Sequence, residues 1–325
     1  MEKQIITNDY AVYNGDCIEK MPSFLDNTVH LSIYSPPFAS LYTYSSSDND
    51  LGNCKTYEEF LQHYEYVVNE VYRVTMPGRM TCVHCMEIPK NGDQGLVDFP
   101  GDIIRLHEKI GFKFWDRHNV WKEPLRVAIR TRQRNLMHQQ LVNDTTKCRG
   151  ALADYVLVFK KTGENKIEVK KPYGLVNYAG DIKLLNKEEL ETYNSLYKKY
   201  SSAKYKDDKT NRLSQWIWRR YASSSWTDVR ANRMMEYKPA KENEDDRHVC
   251  PLHLDIIERC VVLWSNVGET ILTPFMGVGS EVYGSVQLGR KGIGIELKES
   301  YFRQAVRNLS EVKKTQNELQ TALEL

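Results

Sequence analysis

Ile271-Leu272-Thr273-Pro274-Phe275-Met276-Gly277-Val278-Gly279 is the stretch whose reading decides the fold. Residues 270–273 predict a short strand stopped by Pro274, and an apolar helical pattern resumes over 280–288. Between them two glycines let the backbone approach a ligand closely, while the start of the following helix offers unpaired N–H groups. The next strand, 292–296, ends on Glu296, an acid able to accept hydrogen bonds from ribose hydroxyls. A strand, a glycine turn, a helix and a strand ending in an acid have the physical form of a cofactor cradle. They are also what a plain tight βα turn looks like, so a second signal is needed.

Working outward, Val29-His30-Leu31-Ser32-Ile33-Tyr34 reads as a mostly buried strand that runs into Ser35-Pro36-Pro37-Phe38. The prolines must end the ladder, and the second forces Pro36 into an extended conformation, leaving carbonyl oxygens rigidly presented and free. Rigid acceptors suit an amine donor. Thr56-x-x-Glu59 is a capping box for a helix with Phe60, Tyr64, Val67, Val68 and Val71 on one face, and Pro77-Gly78 is expected to stop it. Strands are expected at 80–85, 112–121 and 155–159, with a helix at 102–110 closed by Gly111. Pro251 is read as opening a helix through Trp264, and a last helix carries Tyr301, Phe302, Ala305, Val306 and Leu309 on one side. This alternation predicts an α/β domain. The polar, lysine- and tyrosine-rich stretch from about 160 to 246 lacks it and reads as an insertion.

The remaining features bound the function. A chain of 325 residues, 41% apolar and 27% charged, can bury a sizeable core. No run approaches the roughly 18 apolar residues of a membrane span, so no membrane association is expected. Seven irregularly spaced cysteines fit reduced thiols in a cytoplasm. A net charge of +2 says little about partners, but residues 122–149 hold seven Lys or Arg against two acids, including Arg126, Arg130, Arg132 and Arg134. They read as a phosphate-contacting surface or as a solvated face. Trp216, Trp218 and Trp226, around Arg219 and Arg220, read as a small core for the insertion or as a base-contacting surface. Cys82-Val83-His84-Cys85 has zinc-like spacing without a second Cys/His pair, so no metal is expected.

Taken together, Ser35-Pro36-Pro37-Phe38 and Thr273-Pro274-Phe275-x-Gly277-x-Gly279 resemble the signatures of the amino-methylating (N4-cytosine or N6-adenine) DNA methyltransferases, in the permuted order often called beta. The resemblance extends to Asn14-Gly15-Asp16, Pro77-Gly78-Arg79, Val120-Trp121-Lys122, His248-x-Cys250-Pro251, and Leu288-Gly289-Arg290 through Glu296, with Tyr301 and Ala305. It departs at Thr273, where the family usually has an aspartate; the threonine hydroxyl can still hydrogen-bond the ligand but offers no negative charge to the cofactor's ammonium group, so either cofactor affinity is lower or another acid substitutes. The resemblance implies a doubly wound, Rossmann-like methyltransferase fold, with residues 1–160 and 247–325 as catalytic and cofactor-binding halves and 161–246 as an inserted target-recognition region. It implies S-adenosyl-L-methionine as cofactor and double-stranded DNA as partner, as in restriction-modification, and leaves open whether the chain forms a homodimer.

By the same resemblance Ser35 and the Pro36 carbonyl accept the hydrogens of the target amine, Pro37 stiffens the loop, and Phe38 stacks on an extruded base. Thr273, Pro274, Phe275, Gly277 and Gly279 surround the methionine part of the cofactor, and Glu296 takes the ribose hydroxyls. Asp16 reads either as the residue near the cofactor's adenine amine or as a turn residue, and Pro251 as a pocket wall or a helix start. Arg126, Arg130, Arg132, Arg134, Arg219 and Arg220 are the candidate DNA contacts. Serine at the first position leans the target toward cytosine. The other readings are an RNA or protein-amide methyltransferase and a non-catalytic DNA-binding relative.

Overall fold

Val29–Tyr34 (β3) is buried at every position but His30, the near-continuous apolar pattern of a strand covered on both faces. The structure, a computed structural model, describes residues 3–37, 54, 56–90, 95–131, 136–171, 174–201, 211–240 and 251–312. Its other strands are β1 (Lys3–Ile6), β2 (Tyr10–Asn14), β4 (Thr75–Cys85), β5 (Ile88–Pro89), β6 (Leu96–Val97), β7 (Phe112–Val120), β8 (Asp154–Lys161), β9 (Ser225–Trp226), β10 (Thr270–Thr273) and β11 (Lys291–Glu296). The helices are α1 (Cys17–Lys20), α2 (Tyr57–Val74), α3 (Phe99–Ile110), α4 (Pro124–Thr131), α5 (His138–Asn143), α6 (Lys187–Tyr200), α7 (Arg212–Tyr221), α8 (Leu254–Trp264), α9 (Ser280–Gln287) and α10 (Glu299–Ser310).

Nine strands form one sheet in the order β1-β2-β11-β10-β3-β4-β8-β7-β9, with β5 and β6 as a separate pair. The five from β2 to β4 are mutually parallel, and β8 runs antiparallel between β4 and β7. Alternation along β8 sends Leu157 and Phe159 into a core shared with α2 and α3, and Val156 and Val158 into a second core shared with α8. The expected α/β fold is therefore present, a mostly parallel sheet with helices on both faces. Among the described residues no helix is long and apolar enough to cross a membrane.

Several local expectations are corrected. Helix α2 ends at Val74, and Pro77-Gly78 lies inside β4, where the register against β3 shifts between Val29↔Thr75 and Leu31↔Met80. A proline lacking its donor and a glycine at φ +73° are what a bulge tolerates, so the pair bends a strand instead of stopping a helix. Pro251 does not open α8, which begins at Leu254 with His253 at its N-cap. Helix α3 starts at Phe99, earlier than expected, because the Asp98 side chain accepts from the Gly101 amide at 3.0 Å.

The 161–246 segment docks onto the sheet. Its β9 pairs parallel with β7, and α6 and α7 enclose a small core that packs against Val262 and Leu263 of α8. The fastening is ionic and aromatic. Arg259 of α8, fully buried, donates to Asp228 at 2.7 Å and to the Ala179 carbonyl at 2.9 Å, and lies over the rings of Tyr221 and Trp226. The tryptophans divide between the two readings. Trp226 is buried and stacked on His118, Trp216 packs between Tyr178 and Tyr193, and Trp218 is exposed.

Candidate functional site

Strands β3 and β10 are neighbours, with Ile271 paired to Leu31 and Leu272 to Ser32. From β3 the chain crosses by α2 to β4 on one side, and from β10 by α9 to β11 on the other. The strand order reverses between them, which opens a crevice beyond their carboxyl ends. The two sequence signatures leave these two strands and meet there.

On the β10 side the chain turns through Gly277 at φ +55° and Gly279 at φ +91° into α9. A Cβ on Gly277 would meet nothing within 4 Å, so the loop faces open space there, whereas one on Gly279 would press within 3.2 Å of the Ala305 Cβ on α10. The loop is held from behind by Asn308, whose side-chain amide donates to the Val278 carbonyl at 2.8 Å. Glu296, at the end of β11, accepts from the Gly277 amide at 2.7 Å and from the Lys298 amide at 2.8 Å. The acid thus stiffens the loop it faces, and because a carboxylate oxygen accepts more than one donor, these bonds do not bar it from a ligand's hydroxyls. Asn14 donates to the Glu296 and Leu297 carbonyls, which ties the end of β2 to the same turn. Next to it Asp16 caps α1, accepting from the Ile18 amide at 2.8 Å, and burial raises its pKa above the ordinary value. Asp16 is therefore a capping residue at the crevice, which leaves a role toward a ligand open to it.

Thr273 is buried and its Oγ1 has no hydrogen-bond partner, an orphaned polar atom of the kind a ligand satisfies. Pro274 is buried beside it, and Phe275 packs edge-on to Tyr34 with ring centroids 5.9 Å apart. That contact makes Phe275 part of the aromatic floor joining the two signatures. Glu281, on the first turn of α9, escapes sequence reasoning because nothing marks it apart from a surface acid. Burial pushes its carboxyl up to about 8, with Glu296 adding to the effect. An open glycine loop, an orphaned hydroxyl and the Glu296 carboxylate bound to that loop fit a ligand bearing hydroxyl groups, as S-adenosyl-L-methionine does. Pro251 is buried just before α8.

On the β3 side Ser35 and Pro37 are half-buried and Pro36 is buried, while Phe38 lies outside the described residues. Beneath them Tyr34, fully buried, accepts from the Tyr64 hydroxyl and pairs with His107, whose pKa burial lowers to about 3. Ser35 Oγ lies 2.9 Å from His84 Nδ1. His84 belongs to the Cys82-Val83-His84-Cys85 stretch, whose two cysteines face opposite cores and so cannot share an ion.

The proposed DNA contacts scatter. Arg126 is exposed on α4, the Arg130 side chain lies outside the described residues, and so do Arg132, Arg134, His248 and Cys250. Arg219 is exposed on α7 and lines a cleft of about 300 Å³ with Trp216, Ser223, Ser225 and Thr227. Arg220, in the same cleft, pairs with Glu189 at 2.6 Å and stacks on Trp216, so its charge is engaged within the protein. This cleft sits at the β9 edge, across the sheet from the β10 loop.

Residues 29–307 match the N6/N4-type family described as DNA methylase. The chain is 24% identical over 319 residues to the type II methyltransferase M.MjaI of Methanocaldococcus jannaschii, covering 91% of this chain and 89% of that one. Among solved structures it resembles TTHA0409 of Thermus thermophilus, provisionally described as a DNA modification methylase and seen complexed with S-adenosyl-L-methionine. That match has a TM-score of 0.59 at 20% identity, over 93% of each chain. It also resembles the cytosine-N4-specific PvuII DNA methyltransferase, with a TM-score of 0.60 at 15% identity over 97% of this chain and 91% of that one.

Proposed function

We propose, from the premise that this chain belongs to the N6/N4 DNA methylase family, a division of its site between two adjacent strand ends. The protein is an S-adenosyl-L-methionine-dependent DNA methyltransferase acting on an exocyclic amino group. Bound S-adenosyl-L-methionine supplies an electrophilic methyl group. The β10 end, with Thr273, Pro274, Phe275, Gly277, Gly279 and Glu296, holds that cofactor, and Asp16 lies toward its adenine. The β3 end, Ser35-Pro36-Pro37-Phe38, receives the base.

The amino nitrogen of adenine or cytosine is a poor nucleophile because its lone pair is delocalised into the ring. Acceptors at Ser35 Oγ and the Pro36 carbonyl draw its hydrogens aside and turn the lone pair toward the methyl group, so the protein contributes mainly position and preorganised acceptors. Such a pocket reaches the nitrogen only if the base leaves the duplex. The observation that carries this reading is the pairing of β3 with β10, which puts the acceptor loop and the glycine loop on either side of one crevice. The substrate is double-stranded DNA. Sequence is read by the 161–246 segment around Arg219 and Trp218, while Arg126 meets phosphates.

Cytosine N4 is the proposed target, on the strength of Ser35 at the first position of the signature. Digesting methylated DNA to nucleosides and separating them by mass spectrometry tests this, with N4-methylcytosine expected. N6-methyladenine would overturn the base and spare the chemistry. 5-Methylcytosine would overturn both, since ring-carbon attack needs a nucleophilic cysteine at the β3 end.

A further inference from the structure

The contacts that begin at Ser35 continue into the protein. Its Oγ meets His84 Nδ1 at 2.9 Å, and His84 Nε2, on the other side of the ring, lies 3.3 Å from Asp154 Oδ2. The remaining carboxylate oxygen accepts from Lys122 Nζ at 2.5 Å. The His84–Asp154 approach is an ion-pair distance, and Nε2 is buried with no acceptor in hydrogen-bond alignment, so Asp154 is the group it faces. Three elements build the array: the end of β4, the first residue of β8, and the segment that follows β7. Asp154 is 4% exposed. Burial alone would raise its pKa, but the His84 ring and the Lys122 ammonium hold the carboxyl well below the usual carboxylate range.

An ionised carboxylate facing Nε2 places the imidazole proton there and leaves a lone pair on Nδ1. Nδ1 can then only accept, so the Ser35 hydroxyl donates to it and keeps the Oγ lone pairs for an incoming amine. We propose that His84, oriented by Asp154 and Lys122, is the positioning residue that makes Ser35 an acceptor and takes up the proton the target amine releases. The proposal rests on the reading of Ser35 given above.

In the transfer the nitrogen lone pair forms the N–C bond while the S–C bond breaks with its electrons left on sulfur. The methylated nitrogen then carries one proton too many. That proton passes to Ser35 Oγ as the Ser35 O–H proton passes to Nδ1, which leaves Ser35 neutral and His84 a cation beside Asp154. Lys122 shares the carboxylate, and the proton returns to solvent between turnovers. Other charges near the ring are already committed. The face of β4 that carries His84, with Met80 and Cys82, is covered by α8, whose Asp255, Glu258 and Arg259 pair with Arg230, Arg233 and Asp228. Glu87 and Arg117 bear on Tyr155 of the opposite face.

The test follows single-turnover methyl transfer from pH 5.5 to 9 in wild type, His84→Gln and Asp154→Asn. Calorimetric cofactor binding and 15N spectra of histidine-labelled protein accompany it. Loss of a general base typically costs about 100-fold or more, so His84→Gln should lose that much rate with cofactor affinity unchanged. It should also lose the acid limb on which wild-type transfer falls as His84 becomes protonated. Asp154→Asn should move that limb to lower pH, because the imidazolium loses its carboxylate. The unaltered protein should show His84 protonated on Nε2, with an Nδ1 signal that shifts in Ser35→Ala. If His84→Gln does not fold, the spectra and Asp154→Asn still decide. A His84 protonated on Nδ1, or a His84→Gln rate and pH profile equal to wild type, would overturn the relay. A wild type that transfers no methyl to DNA would overturn the functional reading beneath it.

Discussion

The sheet centre, from β2 through β11, β10 and β3 to β4, and the 161–246 segment are held together by different physics. In the centre a continuous parallel ladder is covered on both faces by aliphatic and aromatic side chains, and the loops leaving its carboxyl ends inherit that rigidity. Among its described residues the 161–246 segment adds to the sheet, beyond Lys161 of β8, the two residues of β9, and it is fastened by Arg259–Asp228, by Tyr178 donating to the same aspartate, and by rings around Trp216. A catalytic centre needs sub-ångström constancy, and a ladder supplies it. The surface proposed to read DNA sequence is held by a few buried pairs while its outer face is free to vary.

The largest expected effect breaks that fastening. Arg259→Ala strips Asp228 of its fully buried charge partner and leaves it Tyr178 and, at 3.6 Å, Arg220. Breaking a buried pair from one side typically costs about 3–5 kcal/mol, measurable by denaturant unfolding. Hydrogen exchange should rise first in α6 and α7 and stay protected in β10 and β11. An equal rise in β10 would show that the two regions are one cooperative unit.

Next comes a buried carboxyl within the centre. The Glu281 carboxyl is pushed up to about 8 by burial, from an ordinary value of 4.5. Between those values the folded protein keeps a proton that the unfolded chain has lost, so stability falls as pH rises through this window. Glu281→Gln removes that penalty. The variant should gain on the order of 2–4 kcal/mol more relative to wild type at pH 8 than at pH 5, at roughly 1.4 kcal/mol per pKa unit. A gain equal at both pH values would mean the carboxyl is solvated.

The order of these effects follows what a sequence can and cannot show. Strands β3, β10 and β11 and helix α9 are legible because one apolar period and one turn chemistry govern each. Ser35, Gly277, Gly279 and Glu296 are legible as signature residues standing at strand ends. Pro77-Gly78 misleads because a bulge inside β4 and a helix stop use the same two residues. Pro251 misleads because a proline just before a helix and one within its first turn look alike. Arg259–Asp228, Arg79–Glu269 and the contact of His84 with Asp154 are invisible in sequence, each joining residues far apart in the chain. Glu281 looks like any acid near a helix start until its burial is known.

A smaller effect sharpens the account of the β10 loop. Glu296→Ala releases the Gly277 and Lys298 amides and removes the proposed ribose acceptor. Losing such hydrogen bonds typically costs about 1–3 kcal/mol, so cofactor affinity by calorimetry should fall by roughly 5-fold to 150-fold. Unchanged affinity would take Glu296 out of the site. The smallest effect belongs to the surface. Arg126→Ala and Arg219→Ala should each reduce the salt slope of DNA binding by about one, with folding intact. Arg126→Ala should do so alike for all sequences, whereas loss of discrimination between sequences should accompany Arg219→Ala alone.

The central claim is that the β3 end handles the base and the β10 end handles the cofactor. It is tested most directly by single-turnover methyl transfer to DNA in Ser35→Ala at saturating S-adenosyl-L-methionine. The account predicts a rate lowered by about 100-fold or more, as for a lost transition-state acceptor, with calorimetric cofactor affinity equal to wild type. A Ser35→Ala enzyme that transfers methyl at the wild-type rate would contradict it.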